Sequence, residues 1–204
     1  MFVDADRSKS ESHTIYVGPS GGKPRTPSLT DLVIEYNYID TKRRRSIYTK
    51  RGGIIRYNYV AMSRGTFGIR HGNGAQLYGN VVVGCRSAIV NGPDHDIRGN
   101  EIDSSSSLEL MAESRNKGDN RFNAADRAQL IGNRCNVVVG KAPDDDKIDR
   151  PVQGVRIYGQ VGDVVLAAEQ DTQVEKSAKV WFPEPVRLTQ SEVGPKAPAA
   201  VPVR

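Results

Sequence analysis

Apolar positions in this chain fall in short runs rich in β-branched residues, divided by Gly, Asn and Ser and lacking the three-to-four-residue spacing of a helix face. They predict strand regions over 14–17, 31–39, 46–50, 54–60, 66–70, 76–83, 88–90, 97–102, 108–111, 128–133, 136–140, 154–158 and 161–167. The segments 19–27, 113–126 and 141–150 read as polar loops, and 1–13 as a weakly structured start.

The runs also repeat. Residues 47–52, Ile-Tyr-Thr-Lys-Arg-Gly, overlay 67–72, Phe-Gly-Ile-Arg-His-Gly, without a gap, which sets Lys50 over Arg70. A further shift of twenty reaches 87–92, Ser-Ala-Ile-Val-Asn-Gly, so that Gly52, Gly72 and Gly92 stand in register. Apolar residues likewise flank Asn37, Asn58, Asn80, Asn100 and Asn133, at intervals of 21, 22, 20 and 33. A repeat of about 20 to 25 residues carrying short strands is the pattern of a β-solenoid, in which each turn stacks on the last. The expected fold is all-β, a single-stranded parallel β-helix of roughly six to seven coils. The asparagines are expected to form a structural ladder between coils.

Alternation gives the repeat a chemical meaning. With Ile47, Thr49, Phe67 and Ile69 turned inward, Tyr48, Lys50, Gly68 and Arg70 face out, and Lys50 and Arg70 lie on adjacent rungs about 4.8 Å apart. Two neighbouring cations point to an anion between them; a solvated face is the plainer reading. The basic character is local, since seven of the fifteen residues 42–56 are Lys or Arg, within a chain of 204 residues with formal charge +5 and pI ≈ 9.2. Such charge favours acidic partners: polyuronates, sulfated glycans or nucleic acid.

Cys85 and Cys135 lack the spacing of a metal site and read as buried residues, with a disulfide left open. No apolar run approaches the roughly 20 residues that span a bilayer, and the first residues lack the layout of a secretory signal. Residues 1–182 are assigned to the β-helix and 183–204 to a Pro/Ala-rich tail.

Lys50, then Ile55-Arg-Tyr-Asn58-Tyr, then the segment 65–74 containing Arg70-His71-Gly72-Asn73 together resemble polysaccharide lyase family 6, the family of alginate lyases and chondroitinase B. The resemblance covers about two thirds of the chain and is most specific at Arg-His-Gly-Asn. It implies a right-handed parallel β-helix, export to the periplasm or medium, and β-elimination on alginate or a related polyuronate, with dermatan sulfate a further candidate. It assigns Lys50 as base and Arg70 as acid, with His71, Arg43, Arg45, Arg51 and Tyr48 around the substrate. A lysine takes a proton only when neutral, a form that the like charges of Arg51 and Arg70 favour.

The chain departs from the family pattern in three ways. The family's lysine precedes its arginine by one residue more, so the strict match is Thr49, and Lys50 serves only if the strand slips or bulges by one. The two glutamates that hold calcium in the family fall on Arg43 and Arg45, or on Lys42 and Arg44 in the Thr49 register. A calcium site is therefore excluded there and no cofactor is expected. Arg43 or Arg45 would neutralise the substrate carboxylate instead; strict alternation turns both inward, so this requires a strand that begins after Arg45. Lastly, the chain starts part-way into the family's fold, which reads as an N-terminally truncated fragment, a minimal natural form or one subunit of a homo-oligomer, since uncapped solenoid ends would associate or fray.

The alternative to a calcium-independent lyase is a non-catalytic β-helical module that grips acidic glycan, of tail-spike type or a degenerate lyase. Nucleic-acid binding through residues 42–45, with Tyr36, Tyr38, Tyr57 and Tyr59 as stacking partners, is a weaker third reading.

Overall fold

The computed structural model describes residues 13–18, 31–41, 45–50, 52–62, 65–69, 72–103, 105–111, 124–141, 151–166 and 171–177. The proposed tail and the loops at 19–27 and 142–150 lie outside them. Among the described residues there are eighteen strands and no helix.

The strands form three parallel sheets. The first contains β1 (His13–Val17), β4 (Arg45–Thr49), β7 (Thr66–Ile69), β10 (Ser87–Val90), β13 (Ser107–Met111), β15 (Asn136–Lys141) and β17 (Val164–Leu166), in that order. The second contains β2 (Val33–Glu35), β5 (Ile54–Arg56), β8 (Gln76–Tyr78), β11 (Asp96–Arg98), β14 (Gln129–Ile131), β16 (Val155–Tyr158) and β18 (Thr172–Glu175). The third contains β3 (Tyr38–Thr41), β6 (Tyr59–Met62), β9 (Val81–Val83) and β12 (Glu101–Ile102). Each strand pairs with its counterpart in the next repeat, an arrangement compatible with a β-solenoid.

Side chains stack in rows because the pairing is in register. Ile34, Ile55, Leu77, Ile97, Leu130 and Ile157 form the inward row of the second sheet. Ile39, Val60, Val82 and Ile102 form that of the third. Phe67, Ala88, Leu108 and Val137 do so in the first. All belong to one core cluster.

Four expected strand regions are each divided between the second and third sheets, and a fifth, 128–133, ends its strand at Ile131 at the same corner. The corner falls on a left-handed residue: Tyr36, Tyr57, Gly79, Gly99 or Gly132, with φ from 52° to 61°. The asparagine that follows turns in. Asn58 accepts from the backbone N–H and the side-chain amide of Asn37 at 3.1 and 2.9 Å, and Asn80, Asn100 and Asn133 receive the same pair of bonds from the asparagine before them. Each amide also donates to a backbone carbonyl, as Asn80 does to Ile55 at 2.8 Å. The expected ladder is present, on the five asparagines named.

Other expectations are corrected. β18 was not foreseen, and among the described residues of the region 161–167 the strand is Val164–Leu166. In the third overlaid segment Ala88, not Ser87, stands against Phe67. The interval is 21 at that strand and returns to 20 where Gly92 closes on the carbonyl of Gly72, so chain length adjusts in the turn rather than in the sheet. Cys85 and Cys135 are both free and buried, which settles the disulfide question.

His95, fully buried beside the turn at Gly92, accepts at Nδ1 from the Ala75 N–H at 3.1 Å, and its Nε2 lies 3.2 Å from the Asn91 carbonyl. With Nδ1 accepting, the proton sits on Nε2 and the ring is neutral. Burial lowers its pKa to about 4, against the opposing pull of the Asn91 carbonyl and the Asp94 charge.

Two outcomes are expected. Asn80→Ala strips the acceptor from two donors of Asn58 and the donor from Ile55, so urea denaturation should show a loss of about 3 kcal/mol, against about 1 for Asn37→Ala at the ladder's half-buried end. For His95 the folded pKa lies below the unfolded value of 6.5, so its share of stability is intact above that pH and is lost as pH falls towards 4. The loss should be on the order of 3 kcal/mol, and urea midpoints from pH 7.5 to 4 should fall more steeply for the native chain than for His95→Gln.

Candidate functional site

The cation-bearing strand is β4, and a bulge shapes it. Arg45 stands against Thr66, an interval of 21, whereas Tyr48 stands against Gly68 and Thr49 against Ile69, intervals of 20. β4 thus holds one residue more than β7 between those points, and alternation breaks there. Beyond the bulge the register matches the sequence interval that separates Lys50 from Arg70.

Lys50 leaves the strand with its N–H donating to the Val17 carbonyl at 2.8 Å. Its ammonium lies 5.9 Å from the centre of the Tyr16 ring, which stacks on Tyr48 with centroids 6.3 Å apart. The Arg45 guanidinium stands 4.7 Å from the centre of the Tyr48 ring. Two cations therefore flank a pair of tyrosines, each held by the negative face of a ring. Ser46 and Ile47 are both buried behind them.

This arrangement corrects the condition set on Arg45. The strand begins at Arg45, not after it. The bulge interrupts the alternation and lets the guanidinium reach Tyr48. Tyr48 is turned away from the core cluster yet is only 2% exposed, so its ring supports Arg45 rather than offering a free surface. Arg43, Arg51, Arg70 and His71 lie outside the described residues.

On the same outer face the row runs Tyr16, Tyr48, Gly68, Ile89, Glu109, Val138. Gly68 is at φ 149°, and a Cβ there would come within 1.9 Å of the Ile89 carbonyl oxygen, so only glycine fits beside Tyr48. Two rungs on, Glu109 is a carboxylate only 6% exposed, with the Ser107 hydroxyl 3.4 Å away. Sequence reasoning passed over it. The available signal was a lone charge between the core residues Leu108 and Leu110.

The tyrosines offered as base-stacking partners are used by one another. Tyr36 stacks on Tyr57 and Tyr38 on Tyr59, both at 5.4 Å, and a Cβ on Gly79 would lie 2.8 Å from the Tyr57 ring. Tyr57 thus has one face on Tyr36 and the other on Gly79. Among the described residues no group of three His, Cys, Asp or Glu side chains is placed to hold a metal ion.

Comparison with protein-family models gave no match, and comparison with curated proteins gave none either.

The hydroxyls of Ser46 and Thr49 are buried in this strand without a hydrogen-bond partner among the described residues. Thr49→Val replaces one of them at nearly constant shape, and urea denaturation should show a gain of about 1 kcal/mol.

Proposed function

We propose that the chain is a right-handed parallel β-helix of six to seven coils that cleaves a uronate-containing polysaccharide, alginate foremost, by β-elimination without calcium. The observation that supports this reading is the bulge in β4: after it Tyr48 and Thr49 pair at an interval of 20, the one-residue slip that the assignment of the base to Lys50 requires. It also brings Arg45 to the outer face, where a guanidinium can neutralise a carboxylate through paired hydrogen bonds.

The chemistry follows from those charges. The carbon 5 proton of a uronate is barely acidic until the adjacent carboxylate is neutralised, which is the part given to Arg45. Lys50 takes the proton; the C5–H electrons form the C4–C5 double bond and the bond from C4 to the glycosidic oxygen breaks. Arg70 polarises that oxygen, which leaves with a proton taken from solvent water, while the proton removed from C5 stays on Lys50 until it is lost to solvent. Cations fixed around the developing enolate stabilise it more than they stabilise the substrate. On this reading the protein works where such polymers occur, outside the cytoplasm, and Val161, Val165 and Leu166, exposed at the last strands, offer a surface for self-association.

One observation favours the non-catalytic glycan-binding module. An ammonium against the Tyr16 ring is stabilised as a cation, which suits gripping an anion better than removing a proton.

The test is ultraviolet absorbance of the new double bond with alginate, polymannuronate, polyguluronate and dermatan sulfate, each with and without chelator. We expect a signal that survives chelation and falls roughly 10²- to 10⁴-fold in Lys50→Ala. No signal on any polymer, with binding retained, transfers the assignment to the binding module.

A further inference from the structure

The second sheet carries a groove on its outer face, away from Lys50. It encloses ≈ 550 Å³ across β11, β14, β16 and β18. Its floor is one row in register, Asp96, Gln129, Arg156 and Gln173, with neighbours about 4.8 Å apart.

Most charges around it are already matched. Arg127 donates through Nε and Nη2 to both carboxylate oxygens of Asp94, at 2.7 and 2.8 Å. Asp96 accepts from Arg98 at 2.5 Å and from the Tyr78 hydroxyl at 3.0 Å, and Asp171 accepts from the Gly154 N–H at 3.2 Å. The middle of the floor differs. Arg156 has no ion pair, and neither it nor its neighbours Gln129 and Gln173 has a side-chain hydrogen bond among the described residues. A guanidinium between two amides, all three exposed, is a row of planar donors with nothing to bind.

The rim is held at a conformational cost. Asp94 and Arg127 sit at φ 65° and 55°, in a corner where Gly74 and Gly154 occupy the equivalent positions of other repeats. An exposed ion pair returns less than two left-handed residues cost, so stability alone does not account for these side chains. Strain retained at a groove's edge is characteristic of a binding site.

The lining also selects the ligand. One unmatched guanidinium asks for a carboxylate, and two amides that both donate and accept suit neighbouring hydroxyls. With Asp94 and Asp96 paired to Arg127 and Arg98, the lining holds three aspartates against three arginines and no surplus of positive charge, so a polymer charged at every unit finds one available cation only, which disfavours nucleic acid and dense polyuronates. We infer that this groove binds a hydroxyl-rich oligosaccharide bearing isolated carboxylates, held by Arg156 with Gln129 and Gln173. The site is separate from the elimination chemistry and does not depend on it.

The probe is a hyaluronan octasaccharide, with a carboxylate on every second ring, and its carboxyl-reduced counterpart. Each is titrated calorimetrically into the full chain carrying Lys50→Ala, so that turnover does not intervene. Saturable binding is expected, at least tenfold weaker for the reduced form and at least tenfold weaker after adding Arg156→Ala. Gln129→Ala with Gln173→Ala should weaken both sugars, which keeps the test decisive if the arginine variant fails to fold. Absence of saturable binding, equal affinity for the two sugars, or binding indifferent to these substitutions overturns the proposal. Absorbance assays on the otherwise native chain report separately: a silent assay beside intact groove binding removes the lyase and leaves this site.

Discussion

The structure depends on an amide that donates and accepts along the direction in which the strands stack. Parallel strands satisfy one another inside the sheets, and at the corners between the second and third sheets the left-handed residue still donates to the next repeat, but the N–H of the residue after it meets no backbone carbonyl among the described residues. The asparagine of the next repeat supplies the acceptor. Its oxygen takes two protons from the repeat before it, and its nitrogen gives to the next asparagine and to a carbonyl of the sheet. Aspartate could not donate and leucine could do neither, so the residue type follows from the corner's geometry. The left-handed residue ahead of it aims the side chain inward, and the strands on either side inherit their register from that point.

That dependence explains how much of the molecule was legible in the sequence. Short apolar runs and recurring asparagines report burial and hydrogen bonding, and both survive translation into strands and ladder. Where a strand region ends was less legible, because the corner residue is Tyr at 36 and 57 but Gly at 79, 99 and 132. A tyrosine flanked by apolar residues looks like more strand; only its φ shows that the chain has turned.

The candidate site was legible in part. Lys50 was identified by its place in the repeat and Arg45 through the resemblance, but the side to which Arg45 points could not be derived by alternation from Lys50, because an extra residue between Arg45 and Tyr48 resets it. Bulges carry no composition signal, and here the only clue was an interval one short of expectation. The groove of the second sheet was not legible at all. Asp96, Gln129, Arg156 and Gln173 are separated by 33, 27 and 17 residues and meet only because the repeats are stacked. Arg127 joins Asp94 across a similar gap.

The same stacking bears on how such a chain can change. Asn100 and Asn133 are joined as closely as Asn80 and Asn100, although the sequence between them is 33 residues rather than 20. The additional length lies largely between Met111, whose carbonyl accepts from the Ala125 N–H at 3.0 Å, and that closing bond. Closing a longer loop adds entropy only logarithmically, so a bonded exit of this kind makes the added residues inexpensive. The fold therefore measures contact and not count. New segments can be inserted at Met111 and Ala125, or an existing one exchanged, while the repeats on either side keep their alignment, so this corner is a ready place for diversification.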